Sequence, residues 1–286
     1  MQVGFIGLGA MGIGMATNLA KAKLLAGVYN RTASKAQALA TELNVTAYTD
    51  IATLAADMDV LLSCVSADSD VLEVIKLIAT TAKTGAIVID MSTVSSETAK
   101  QAASLLQAKG IAFLDAPVSG GVEGAINGSL SIMVGGEASI VETVRPVLEA
   151  MSSRIIHVGE VGSGQATKAV NQVMCAGINQ AVTEALMFAA AQNLPMEKVL
   201  AAVAGGAAGN WFLDKRGSTM TNGTFAPGFK LALHHKDLHI CQTMAAQAGI
   251  SIPLSDMTVI AYQQLMADGF GDEDISALYR LKNPKR

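Results

Sequence analysis

From residue 2 to about residue 159, short and nearly continuous apolar runs alternate with helical stretches; beyond about residue 163 such runs stop. This alternation constrains the chain more than any single motif. The runs at 2–7, 26–30, 59–65, 86–91, 111–118, 130–136 and 154–159 have strand character. Helical pattern fills much of the space between them, notably at 12–22, 34–43, 69–82, 95–109 and 138–151. Strands that are apolar on both faces and separated by helices predict a mainly parallel, doubly wound sheet covered on both sides. The remainder reads as helix only, at 165–192, 196–204, 209–220, 230–248 and 254–267, with a short helix near 273–281. The boundary is expected near residue 161, at the Gly-rich stretch HVGEVGSGQ.

Composition narrows the partners. The 286 residues are 51% hydrophobic and 15% charged, with a net charge of -4 and no basic block, so nucleic acid is not an expected partner. No uninterrupted apolar run approaches the ~20 residues that span a bilayer, and the N-terminus shows no charged n-region, so neither a membrane nor a signal peptide is expected. Cys64, Cys175 and Cys241 are scattered without CxxC spacing, which fits a reducing cytosol. His235 and His239 stand four apart, but no HExxH or carboxylate partner surrounds them, so they are read as structural or solvent-facing and no metal is expected. A mean hydropathy of +0.39 needs a cause. Burial of helix between subunits supplies one, and a homodimer or homotetramer is the expectation.

Directly after the first strand run, Gly7-Leu8-Gly9-Ala10-Met11-Gly12 forms a G-x-G-x-x-G turn that opens a helix. The first glycine permits the tight turn, the second lets backbone approach a pyrophosphate, and the third allows close helix–strand packing. A plain glycine turn is the alternative, but the strand–turn–helix context favours a dinucleotide and hence a Rossmann-type domain. Asn30-Arg31-Thr32 closes the second strand run, eighteen to twenty residues past Gly12, where an NAD site usually carries Asp or Glu. Nothing there repels a 2′-phosphate and Arg31 can pair with one, so NADP is favoured over NAD.

Two further strand ends carry small residues: Ser92-Thr93, and Asp115 through Gly121 in the order DAPVSGG. Their exposed N–H groups and the Ser119 hydroxyl suit a carboxylate, although a turn that merely needs glycine reads equally well. In GSGQATKAVNQVMCAGINQAV (162–182), Lys168 is the only charge, and Lys168, Asn171, Gln172, Cys175 and Asn179 share one helix face. The lysine either snorkels to solvent or serves as the proton donor to a carbonyl oxygen.

Together these stretches are similar to the β-hydroxyacid dehydrogenase family, which includes 3-hydroxyisobutyrate dehydrogenase, tartronate semialdehyde reductase and the glyoxylate/succinic semialdehyde reductases. FIGLGAMGIGMATNLA (5–20) resembles the family's opening signature, DAPVSGG (115–121) its substrate motif, GSGQATKAVNQ (162–172) its catalytic helix, and FAPGFKLALHHKDL (225–238) its late segment. The resemblance implies an α/β Rossmann domain over 1–161 followed by an all-α substrate and oligomerisation domain over 162–286. It implies Lys168 as catalytic acid/base, with Ser119, Gly120, Gly121 and Asn171 on a small carboxylate-bearing substrate. Val65, Ser66, Thr93, Phe229 and Lys236 are implied near the nicotinamide, although Lys236 among its histidines also reads as a solvated patch. One departure is Gln172: the family places Asn three or four residues after the lysine, and here the fourth is Gln.

The expected activity is NADP-preferring interconversion of a small β-hydroxy acid and its semialdehyde, in the cytoplasm. Imine reduction is the alternative among enzymes; relatives that do it usually replace the lysine. A 6-phosphogluconate-type decarboxylase would want an Arg cluster that this shorter chain lacks. A non-catalytic dinucleotide-binding module is expected to lose the lysine or the SGG loop, and both are present.

Overall fold

In the computed structural model, which describes residues 1–282, the first half is organised by one nine-stranded sheet. Its strands are β1 (Val3–Ile6), β2 (Leu25–Tyr29), β3 (Thr46–Ala47), β4 (Val60–Ser63), β5 (Ile87–Asp90), β6 (Ala112–Asp115), β7 (Val118–Ser119), β8 (Leu130–Gly135) and β9 (Ser152–Gly159). The order is β3-β2-β1-β4-β5-β6-β8-β7, with β9 also paired to β8. Pairings from β3 through β6 are parallel, whereas β8 runs antiparallel to β6 and β7. An antiparallel strand near the edge of a parallel sheet is a common arrangement in doubly wound folds.

The helices crossing between these strands are α1 (Ala10–Lys21), α2 (Ala33–Leu43), α3 (Ile51–Asp57), α4 (Asp68–Thr81), α5 (Ser96–Gln107), α6 (Gly121–Asn127) and α7 (Ala138–Glu149). Strand side chains alternate between two cores. Val60, Leu62, Ile87, Ile89 and Leu114 pack with Met15 and Leu19 of α1 and Val144 and Leu148 of α7. Leu61, Val88 and Phe113 pack with Leu54 of α3, Ile75 of α4 and Leu106 of α5. Successive apolar positions along β4, β5 and β6 thus bury branched or aromatic side chains on one face or the other, each worth about 1.5–3 kcal/mol. This is why the strand runs are continuously apolar rather than alternating.

The chain divides into two units, one ending at Lys168 and the other beginning at Ala169. The dividing point falls inside α8 (Ser163–Ala191). The second unit continues with α9 (Met196–Ala204), α10 (Trp211–Thr221), α11 (Leu231–Gln247), α12 (Pro253–Ala267), a 3₁₀ turn over Ile275–Leu278 and α13 (Tyr279–Lys282). Its core gathers Leu186, Phe212, Met220, Leu238, Val259, Tyr262 and Leu278. Among the described helices, α8 alone is long and apolar enough, by length and composition, to cross a membrane. The amide nitrogens of two of its buried polar residues nevertheless donate within the protein. Asn179 Nδ2 donates to the Tyr262 hydroxyl (3.0 Å) and the Ile275 carbonyl (2.8 Å), and Gln180 Nε2 donates to Thr258 Oγ1 (3.0 Å).

Candidate active site

The glycine turn lies between β1 and α1. Gly7 holds a φ of +97°, a conformation other residues rarely adopt, and donates its N–H to the Tyr29 carbonyl at 3.0 Å. A Cβ on Gly12 would collide with the Gly7 carbonyl oxygen, whereas one on Gly9 would meet nothing within 4 Å. The turn is therefore closed on its protein side and open at Gly9, the shape a pyrophosphate requires when backbone N–H groups and a helix N-terminus receive it. Ala10 is exposed, Met11 half-buried and Leu8 buried in the core.

Asn30 has a part in this turn that spacing did not suggest. Its Oδ1 accepts the Leu8 N–H at 2.9 Å, and its Nδ2 donates to the Thr32 carbonyl at 3.1 Å. It ties the end of β2 to the glycine turn. Arg31 projects outward, its side chain 89% exposed, with Nη1 3.8 Å from Asp70 Oδ1. An ion pair that long and that exposed contributes little. Thr32 is exposed and caps α2 through its backbone only.

The ends of β4, β5 and β6 carry a buried polar cluster. Ser63 Oγ and Ser92 Oγ each donate to Asp90 Oδ1 at 2.7 Å, and the Ser92 hydroxyl accepts the Val65 N–H at 2.9 Å. Asp90 Oδ2 has no hydrogen-bond partner among the described residues. Burial pushes the Asp90 carboxyl up to about 6; the bonds from Ser92 and Ser63 oppose that rise, and the charge of Asp115 adds to it. Asp115, its register partner on β6, accepts the N–H groups of Gly162 (2.8 Å) and Gln165 (2.9 Å) at the start of α8. Burial raises its carboxyl too, against the lowering effect of those N–H groups. Gln165 completes the join, donating to the Ser92 carbonyl (2.8 Å) and accepting from the Val94 N–H (3.2 Å). Val65 and Thr93 are half-buried beside this cluster in sequence, and Ser66 is exposed.

One turn into α8, Lys168 is only 7% exposed, and its Nζ donates to the Val118 carbonyl at 2.8 Å. That carbonyl belongs to the residue preceding Ser119, Gly120 and Gly121. The structure thus brings the lysine to the small-residue motif fifty positions earlier and excludes the reading in which it snorkels to solvent. Burying an ammonium is costly unless it is hydrogen-bonded, so its place here is held by the fold. Ser119 sits half-buried in β7, and Gly121 opens α6 rather than a loop.

Two family models together span nearly the whole chain. One, described as the NAD binding domain of 6-phosphogluconate dehydrogenase, matches residues 2–159; the other, described as NAD-binding of NADP-dependent 3-hydroxyisobutyrate dehydrogenase, matches residues 162–282. The chain belongs to the β-hydroxyacid dehydrogenase family. It is an NAD(P)-dependent oxidoreductase of the hydroxyacid class. It is 35% identical over 284 residues to the 2-hydroxy-3-oxopropionate reductase of Escherichia coli, covering 97% of this chain and 96% of that one. It is 33% identical over 298 residues to the NAD-dependent L-serine dehydrogenase of Pseudomonas aeruginosa, covering 99% and 98%. Among solved structures, the Mycobacterium tuberculosis 3-hydroxyisobutyrate dehydrogenase with L-serine matches at a TM-score of 0.89 and 31% identity, covering 98% of each chain.

In the second unit of this hydroxyacid dehydrogenase, Asn171 Nδ2 donates to Gln172 Oε1 at 2.8 Å and lies 3.6 Å from Cys175 Sγ. Gln172 Nε2 donates to Asp237 Oδ2 at 2.6 Å, and Asp237 Oδ1 pairs with Lys236 Nζ at 2.9 Å. Phe229 is half-buried, its ring 5.4 Å from that of His234. His234 is itself buried between the Tyr262 hydroxyl (3.1 Å) and the Gln172 carbonyl (3.2 Å). Sequence reasoning named Asp115 and Asp237 only as members of motifs, Gln172 only on the polar face beside Lys168 and as a departure from the family pattern, and Asp90 only within the strand run 86–91. Their roles depend on strand register and helix packing, which spacing does not display. Among the described residues no cluster of three or more His, Cys, Asp or Glu is placed to hold a metal.

Proposed function

We propose that this protein is an NADP-preferring reductase that interconverts a small β-hydroxy acid and its semialdehyde, with Lys168 as the general acid/base. The observation that carries this reading is the buried Lys168 ammonium hydrogen-bonded at the edge of the Val118–Gly121 motif. A bound nicotinamide dinucleotide would supply the hydride for reduction and take it up in oxidation. The open glycine turn from Gly7 to Gly12, with Asn30, Arg31 and Thr32 at the end of β2, fits its phosphates and ribose. Val65, Ser66, Thr93, Phe229 and Lys236 are assigned to its nicotinamide end.

Ser119, Gly120 and Gly121 receive the substrate carboxylate, which leaves the carbonyl oxygen for the lysine. Lys168 delivers a proton to that oxygen as the carbonyl carbon is reduced, and removes it from the hydroxyl in the reverse direction. Its bond to the Val118 carbonyl holds the ammonium in place between turnovers. Asn171, one turn further along α8, orients the reacting oxygen. Residues 1–161 act as the dinucleotide domain, and 162–286 as the substrate and subunit-pairing domain.

The test follows NADPH and NADH oxidation with tartronate, methylmalonate and succinic semialdehydes and with glyoxylate. Expected are turnover with one of them, a preference for NADPH, and a loss of about 10²–10⁴-fold in kcat in Lys168→Ala with NADPH binding retained. Arg31→Glu should move the preference toward NADH. Silence across the panel, or a lysine variant that still turns over at the full rate, sinks the assignment.

A further inference from the structure

The opening signature, FIGLGAMGIGMATNLA, runs eight residues past the glycine turn, and its second half meets a different partner. Gly14 and Asn18, four residues apart on α1, share a buried face. A Cβ on Gly14 would stand 2.8 Å from the Ala125 carbonyl carbon, 2.9 Å from its oxygen and 2.9 Å from the Ile126 nitrogen, all backbone of α6. Asn18 Nδ2 donates to the Ala125 carbonyl at 2.7 Å and to that of Ile126 at 3.3 Å. Both carbonyls belong to the last turn of α6, where a helix has no partners of its own to offer. From another side, a Cβ on Gly124 would meet Leu130 Cδ2 at 3.2 Å, and Leu130 is fully buried. This seat is needed. A helix of seven residues that includes Gly121 and Gly124 does not hold by itself.

We infer that Gly14 and Asn18 are positioning residues for the substrate: they seat α6, and α6 fixes where Ser119, Gly120 and Gly121 receive the carboxylate. The inference rests on the proposed function for that carboxylate. The link is short because the motif runs into the helix. Gly121 is the first residue of α6, and the Gly120 carbonyl accepts the Gly124 N–H at 3.0 Å. Lys168 holds the Val118 carbonyl just before the motif, and α6 holds the residues just after it. One helix, α1, therefore carries the glycine turn at its start and the seat of the substrate motif farther along. The spacing between cofactor and substrate is built into it, and a small displacement of bound reactants is enough to cost rate.

Two alanine variants test this from opposite directions. Gly14→Ala favours α1 itself, since alanine is the better helix former, so its loss comes from crowding α6. Asn18→Ala removes the donor and adds no bulk. Each is expected to raise KM for the aldehyde that wild type reduces by about tenfold or more. The Kd for NADPH, read by fluorescence titration, should stay within about twofold. Amide hydrogen exchange should quicken across residues 119–128 and stay slow in β1, β4 and β5. Thr17→Ala, whose lost hydroxyl donates to the Ile13 carbonyl within α1, should match wild type in all three. Wild-type KM in both variants overturns the inference, as does a Kd for NADPH that rises as much as KM. If Gly14→Ala does not fold, Asn18→Ala decides alone. Wild type silent on every substrate of the panel is a separate result. It removes the functional reading and the carboxylate with it, and exchange across 119–128 then decides whether α1 seats α6.

Discussion

Asp90 is fully buried, with one carboxylate oxygen accepting bonds from Ser63 and Ser92 and the other accepting none. Burial raises its carboxyl from the ordinary 3.8 to about 6. Between those values the native protein holds a proton that the unfolded chain has released. The stabilisation from this residue is therefore full below about pH 4 and lost as pH rises through about 6. Asn at this position keeps an acceptor oxygen for both serines and cannot titrate. Asp90→Asn should accordingly gain on wild type as pH rises from 4 to 7, by about 2–3 kcal/mol at most. Urea unfolding at pH 4.5, 5.5 and 7 reads this directly, and a difference that stays constant with pH would place the titration elsewhere. The same residue holds Ser92 against the Val65 N–H, so its burial links the sheet core to the segment assigned to the nicotinamide.

At the scale of elements, the start of α8 is the joint on which the site depends. Its first N–H groups are received by Asp115 instead of water, and a carboxylate at a helix N-terminus is also favoured by the helix dipole. Gln165 fastens the same turn to the end of β5, and Lys168 follows one turn later. Asp115→Asn sets an amide N–H₂ against a backbone donor. It should cost about 3 kcal/mol of stability and lower kcat at temperatures where the variant stays folded. Denaturant unfolding and kinetics on one preparation check both halves, and a neutral variant would show that α8 is seated without this cap. The elements themselves were legible to very different degrees. The buried strands announce themselves because both faces are covered, so continuous apolar runs leave little choice of structure. The polar stripe on α8 was legible because helical spacing alone aligns Lys168, Asn171 and Gln172. By contrast α6 hides in a glycine-rich motif: Gly121 and Gly124 are poor helix formers, and only packing against α1 gives the segment a reason to be helical. Short α3 was also left unnamed, although Asp50 caps it by accepting the Thr53 N–H. The pairing of Asp90 with Asp115, and of Gln172 with Asp237, spans 25 and 65 positions, and only register and packing bring such residues together.

For the whole molecule, the high mean hydropathy has a visible location. The second unit exposes Val170, Met174 and Phe188 on α8 and Leu254, Met257 and Ile260 on α12, with Phe188 and Ile260 each 68% exposed. Scattered apolar residues on a surface need no explanation, but large ones recurring at helical spacing on two elements do. Subunit pairing through the helical unit, as proposed above, would account for them and for an α8 whose charged residues are Lys168 and Glu184 alone. Phe188→Glu combined with Ile260→Glu places charges where apolar contact is expected, and burying an unpaired carboxylate costs enough to weaken self-association by about a hundredfold or more. Sedimentation equilibrium should show wild type as a dimer or tetramer and the double variant shifted toward monomer, with the sheet unit's unfolding transition retained. A wild type that sediments as a monomer across micromolar concentrations would remove subunit pairing as the reason for the exposed apolar residues.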